Sequence, residues 1–244
     1  MVFVEDVQEV YVGGQPYGKD PVWIEPPKPE IGDYITKLGG FIKFTNYQDT
    51  DRNNLGGIYI GDHPETGEKL FIPANVGFEY NSNQGNLLYY NNMPNYDNVI
   101  NDDIYDLLVK DNIVSTTESE AIKRYDGKYC TFKTIELISN YAKKDRFEVI
   151  NWVKQFQPGF NDGEWYLPSL GELLLLYDNN KNNANKIINS INKIFPLTNS
   201  FTIFYCSSIL QDHGSVWGAN LKNRYINSSS IYTTKGTLPF LAIK

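Results

Sequence analysis

The chain has 244 residues and a mass of 27.9 kDa, enough for one or two domains, and its 41% hydrophobic and 21% charged residues exclude wholesale disorder. A net charge of −7 and a pI near 4.9 exclude a nucleic-acid binder, which needs a basic face, and electrostatic docking on an anionic membrane. The 18 Tyr and 27 Asn suit a recognition surface, although an AT-rich genome would enrich the same residues.

The opening Met-Val-Phe-Val-Glu-Asp has neither a basic n-region nor a long apolar h-region, which predicts a chain without a signal peptide. A secreted protein whose leader was removed is the alternative. Val2, Val4, Val10 and Val12 predict strands, and Pro21 to Glu30 holds four prolines, a stiff extended linker. Residues 1–30 thus read as an N-terminal arm for attachment or oligomerisation.

Residues 31–125 read as a β-rich part. Gly39-Gly40 precedes Phe-Ile-Lys-Phe, Gly56-Gly57 precedes Ile-Tyr-Ile, and His63-Pro64-Glu65-Thr66-Gly67 reads as a hairpin turn. Residues 81–103, rich in Asn and Tyr, read as a long surface loop.

Residues 126–244 begin with helices. The face Ile135, Ile138, Tyr141, Ala142 and the spacing Val149, Trp152, Val153, Phe156 both predict helix, stopped by Pro158-Gly159. Ser169-Leu170-Gly171-Glu172 is a capping box that opens a helix whose leucines, Leu173 to Leu176, run almost all round. Ile187 to Phe195 predict a further helix. Strands are expected over 201–206, 215–221, 224–233 and 238–243. Strands, helices, strands make an α+β fold, helices packed on a twisted antiparallel sheet.

No catalytic constellation emerges. Gly13 to Lys19 has P-loop spacing, but Asp20 and Pro21 follow where Ser or Thr and a helix are required. His63 and His213 stand in turn-like contexts, away from metal-ligand spacing, and read as solvated loop residues. Asp102-Asp103 and Asp162 with Glu164 lack the pattern of a Ca²⁺ loop. Cys130 and Cys206 read as free buried thiols. No metal or other cofactor is expected.

Asp126-Gly-Lys128 with Thr131, Gly163-Glu-Trp165-Tyr-Leu-Pro168-Ser-Leu-Gly171-Glu172-Leu, Tyr205-Cys-Ser207-Ser208, Val216-Trp217-Gly-Ala-Asn220 and Leu238-Pro-Phe-Leu-Ala-Ile243 together resemble the C-type-lectin-like domains of gut Bacteroidetes and their phages. Cys206 stands where that family usually has Trp, and Leu238 to Phe240 lacks its usual Arg. The animal Ca²⁺-sugar motifs and the paired cysteines of formylglycine-generating enzymes are absent. The resemblance implies a rigid scaffold that displays a variable ligand-binding face near the C-terminus.

That face is expected at Tyr205, Trp217, Asn220, Asn223, Arg224, Tyr225, Asn227 and Tyr232, where aromatics supply contact area and Asn and Arg supply hydrogen bonds. For Tyr205 and Trp217 a place in the core is the better fit, and Asn223, Arg224 and Tyr225 are the sharper candidates, as a polar run between strands. The function the resemblance implies is a phage virion subunit (a head or tail fibre, or a decoration protein) that binds a host-surface glycan or protein. In that reading the arm meets other virion proteins and the chain forms a homo-oligomer, with no nucleic-acid or membrane partner and no enzymatic activity. The alternative is a secreted or lipoprotein adhesin of a gut bacterium; a third reading is an enzyme on the formylglycine-generating fold.

Overall fold

A computed structural model describes residues 28–74, 87–89, 102–140, 147–155, 164–194, 204–230, 234–236 and 238–244. The expected strands before residue 20 and most of the Pro-rich linker lie outside these.

The first strands follow the expected pattern: β1 (Tyr34–Thr36), β2 (Phe41–Ile42), β3 (Leu55–Asp62) and β4 (Lys69–Pro73). His63 to Gly67 turns β3 into β4, the Gly67 amide bonding the His63 carbonyl in a left-handed conformation. Part of the stretch read as a loop is regular: β5 (Leu87–Tyr89), and α1 starting at Asp102 (Asp102–Lys110). Ile104 and Leu108, one turn apart, bury its inner face, a period too short for sequence reading to separate from the polar residues around it.

Then come α2 (Glu118–Ala121), α3 (Gly127–Ile138), α4 (Glu148–Gln155) and β6 (Trp165–Tyr166), followed by α5 (Leu170–Asn182) and α6 (Lys186–Ile194). Leu170, Leu173, Leu174 and Leu176 of α5 are all buried, each stabilising the fold by ~1.5–3 kcal/mol. The late strands are β7 (Phe204–Asp212), β8 (Ser215–Asn220), β9 (Tyr225–Ser230), β10 (Thr234–Gly236) and β11 (Phe240–Ile243).

Two sheets result. The first runs β2-β1-β3-β4-β11-β6, antiparallel throughout. The second runs β5-β10-β7-β8-β9, antiparallel except for the parallel pair β10–β7. Helix α5 packs on β3 of one sheet and on β7 and β8 of the other, so one core joins both. The fold is therefore α+β, as expected. Strand β11 lies between β4 and β6, so residues 31–125 and 126–244 share a sheet and a core.

Strand alternation divides the first sheet's side chains. Ile58, Ile60, Leu70 and Ile72 enter the main core; Tyr59 and Phe71, with Ile35, Trp165 and Leu241, form a second apolar cluster on the other face. The Asn enrichment has a structural share. Asn179 donates from Nδ2 to the Ile60 carbonyl, and Asn180 accepts the Ile188 amide and donates to Asn185. The α5–α6 reversal puts Ala184 and Asn185 at φ of 52° and 60°, and Asn tolerates that region better than most residues.

Candidate functional site

Two clusters of polar and aromatic side chains stand out. The first surrounds the resemblance-bearing stretch 165–172. Leu167 is clamped by Thr131: its amide donates to Oγ1 at 3.0 Å, and Oγ1 donates to its carbonyl at 3.1 Å. The Pro168 carbonyl accepts the Ser208 amide. Ser169 caps α5, its hydroxyl 2.7 Å from the Arg124 carbonyl oxygen and 2.9 Å from Glu172 Oε2. Glu172 completes the capping box: Oε2 accepts the Ser169 amide at 2.6 Å, and Oε1 accepts the Tyr166 hydroxyl at 2.8 Å.

Glu172 is 1% exposed. Burial raises its carboxyl above the ordinary glutamate range, opposed by the Ser169 and Tyr166 donors and by His63, whose Nε2 lies 3.6 Å from Oε1. His63 is a correction to the solvated-loop reading: it is 6% exposed. Its Nδ1 accepts the Glu65 and Thr66 amides, so the proton sits on Nε2, which donates to the Tyr125 carbonyl at 2.6 Å. The imidazole ties the β3–β4 turn to the chain entering α3. Gly171 closes this knot, because a Cβ there would collide with the Arg124 carbonyl oxygen.

Such an arrangement fixes shape. Its polar atoms bond one another, and His63, Glu172 and Cys130 are all buried. Burial also pushes the Cys130 thiol well up, which makes it a poor nucleophile. Neither cysteine is in a disulfide, and among the described residues no His, Cys, Asp and Glu cluster could hold a metal ion. None of the described helices is long and apolar enough to cross a membrane.

The second cluster is the β8–β9 hairpin and the sheet face beside it. Of the residues expected there, Tyr205 and Trp217 are 3% and 6% exposed and belong to the core. This corrects their place on a binding face: they point inward toward the helices, and the Trp217 Nε1–H is used by the Ser115 carbonyl at 2.7 Å. Asn220 and Asn223 shape the turn, accepting the Lys222 and Tyr225 amides. Leu221 anchors it in the core.

Arg224 is exposed, with φ at 60°, and its Nε and Nη2 donate to Asp178 Oδ1 and Oδ2 of α5 at 3.1 and 3.2 Å. Tyr225 is 56% exposed and Asn227 is exposed too. Tyr232 lies outside the described residues. One hairpin thus gathers Asn220, Asn223, Arg224, Tyr225 and Asn227.

Sequence reading missed two members of this surface. One is Asp178, which reads as an ordinary helix residue. The other is Phe204, the register partner of Asn220, which is in turn the partner of Tyr225. Directly opposed residues project to the same face, so Phe204, Asn220 and Tyr225 form one row across β7, β8 and β9. The next row holds Gly218 between Cys206 and Asn227, and of these Cys206 and Gly218 are buried and Asn227 is exposed. The Phe204 ring lies where a side chain at Gly218 would stand, because a Cβ there would collide with it.

No protein-family model matches the sequence, and no curated protein does. Among solved structures, the chain is similar to a fimbrial protein from Bacteroides ovatus, with a TM-score of 0.62 and 16% sequence identity. The match covers 88% of this chain and 49% of that one, so the chain spans about half the length of the protein it resembles. At this identity the likeness is one of fold.

Proposed function

We propose that the protein is a surface-displayed, adhesin-type subunit of a gut bacterium, built on a C-type-lectin-like scaffold, whose β8–β9 hairpin and adjoining sheet face meet the ligand. The observation that carries this reading is the fold shared with a fimbrial protein over 88% of the chain. It favours the adhesin alternative over the virion reading, for which the comparisons offer no support. The two clusters fit such a role: a self-satisfied knot gives rigidity, and an exposed hairpin offers aromatic and amide groups for contact. An enzyme on the same fold is disfavoured by the burial of His63, Glu172 and Cys130.

Immunogold labelling of the producing bacterium, with mass spectrometry of any phage particles it releases, tests the proposal. Label on the cell surface is expected. The chain in purified particles and absent from the cell surface would overturn it in favour of the virion reading.

A further inference from the structure

We infer that β9 is an interaction surface for a second copy of this chain: two β9 strands pair antiparallel across a two-fold axis and join the second sheets of two molecules into one continuous sheet. The pairing goes beyond the adhesin reading and does not rest on it.

The edges of the two sheets differ. Among the described residues the sheets end in β2 and β6 on one side of the molecule and in β5 and β9 on the other. Strands β2 and β6 have two residues each and β5 has three. A very short edge offers few unpaired N–H and C=O groups, which is one way a sheet avoids pairing with other chains. Strand β9 has six residues. Its ladder with β8 runs without a register shift from Asn220–Tyr225 to Ser215–Ser230, whereas β1–β3, β3–β4 and β7–β8 are all irregular. Bulges, prolines and charged side chains also guard edges. The strand reads Tyr-Ile-Asn-Ser-Ser-Ser and has none of these. Its outer side is a regular, unguarded template for a further strand.

Charge and symmetry choose the occupant. A net charge of −7 makes copies of the chain repel one another, but an uncharged strand brings no like charges face to face. An unrelated peptide would need pockets for its alternate side chains, and a run of serines supplies small hydroxyls instead. Arg224, the residue before β9, sets the direction. Parallel pairing would put the two guanidinium groups side by side. Antiparallel pairing sends them to opposite ends, ~20 Å or more apart, where salt screens them. The two-fold then runs perpendicular to the sheet, and a residue near the middle of the strand, Asn227 or Ser228, faces itself. With one long edge per chain, the pairing closes at two copies. Tyr225 and Asn227, both exposed, open to the same side in each copy, so the dimer presents the hairpin face twice.

The test is sedimentation equilibrium of the whole chain from ~1 to ~300 µM. So small a contact should give a dimer with Kd of ~1–100 µM. Ser228→Lys sets an ammonium group on each edge close to the axis and should weaken the dimer ~10-fold or more, with circular dichroism and Tm matching wild type. Under mild oxidation Asn227→Cys or Ser228→Cys should cross-link to its own copy, because opposed Cα atoms ~4.5–5.5 Å apart suit a disulfide, while Lys222→Cys in the turn should not. A monomer throughout, association that runs past two copies, or a dimer indifferent to a folded Ser228→Lys overturns the inference. If Ser228→Lys does not fold, the cysteine variants decide, and no self-cross-link with either overturns it. A monomer labelled on the cell surface would remove the pairing and keep the adhesin.

Discussion

The knot around Glu172 and the β8–β9 hairpin hold similar residue types under opposite conditions. In the knot, Ser169, Glu172, Tyr166 and His63 bond one another and the backbone, out of water. On the hairpin, Asn223, Arg224, Tyr225 and Asn227 face solvent, and of these four Arg224 reaches a helix, through one surface ion pair with Asp178. The same chemistry thus does different work. Where the polar atoms are paired internally, the residues specify shape and tolerate only exchanges that keep those hydrogen bonds. Where the partners are solvent and one surface contact, residues can change with little effect on the fold. The stretch most recognisable in the sequence is the buried knot, and the plainer stretch is the solvent-exposed hairpin.

Substitutions should reveal this contrast as a steep gradient of stability. Gly171→Ala sets a Cβ against the Arg124 carbonyl, which is backbone and cannot swing away. Its cost is expected to exceed ~4 kcal/mol, near the whole stability of a typical domain, so the variant should be unfolded or insoluble by circular dichroism. A folded Gly171→Ala would mean that α5 is not pressed on this loop.

Leu174→Ala, in the middle of α5, should cost ~2–5 kcal/mol and lower Tm by many degrees. An unchanged Tm would place Leu174 outside the core.

Glu172 separates charge from hydrogen bonding. Glu172→Ala strands the Ser169 amide and the Tyr166 hydroxyl, at ~1–3 kcal/mol for each buried group. Glu172→Gln can keep both, its carbonyl oxygen toward Ser169 and its amide toward Tyr166. The sign of the pH effect follows from burial. The Glu172 carboxyl is raised in the folded chain, so its favourable contribution is complete below the ordinary glutamate value of ~4.3 and declines as pH rises through the raised one. Wild type should therefore gain on Glu172→Gln as pH falls toward that range, measured as the difference in Tm. A difference that shrinks on acidification would mean that the carboxylate is held ionised.

At the shallow end, Arg224→Ala removes a surface ion pair worth ~0.2–1 kcal/mol. Arg224→Gly removes the same pair but suits the left-handed backbone, and should be the more stable of the two by ~1 kcal/mol. Equal Tm values would show that the turn relaxes once the pair is gone.

How much of this was legible follows from the range of each interaction. The capping box was legible because Ser169 and Glu172 are three residues apart, and the leucines of α5 were legible because helical periodicity is local. His63 was not: its partners, Tyr125 and Glu172, lie 62 and 109 positions away. Asn223, Arg224 and Tyr225 were readable as an exposed polar run between strands. Phe204 and Tyr205 show where reading stops. They are adjacent aromatic residues on one strand, so one faces in and the other out, and strand parity alone decides which. Nothing near them in sequence sets that parity. It is set by pairing with β8, and it sends Tyr205 inward and leaves Phe204 beside Asn220.

The place of β11 has a consequence for biosynthesis. Leu241 pairs with Phe71, 170 positions earlier (241 minus 71). A ribosome adding ~5–20 residues per second needs about 10–30 s to make that stretch. Throughout that time β4 would offer the nascent chain a bare apolar edge, its Phe71 and Ile72 among the most deeply buried side chains of the finished molecule. The interval invites pairing between neighbouring nascent chains. It gives a cellular holdase a defined target, the β3–β4 hairpin, and makes the yield of folded protein depend on how quickly the final strand arrives.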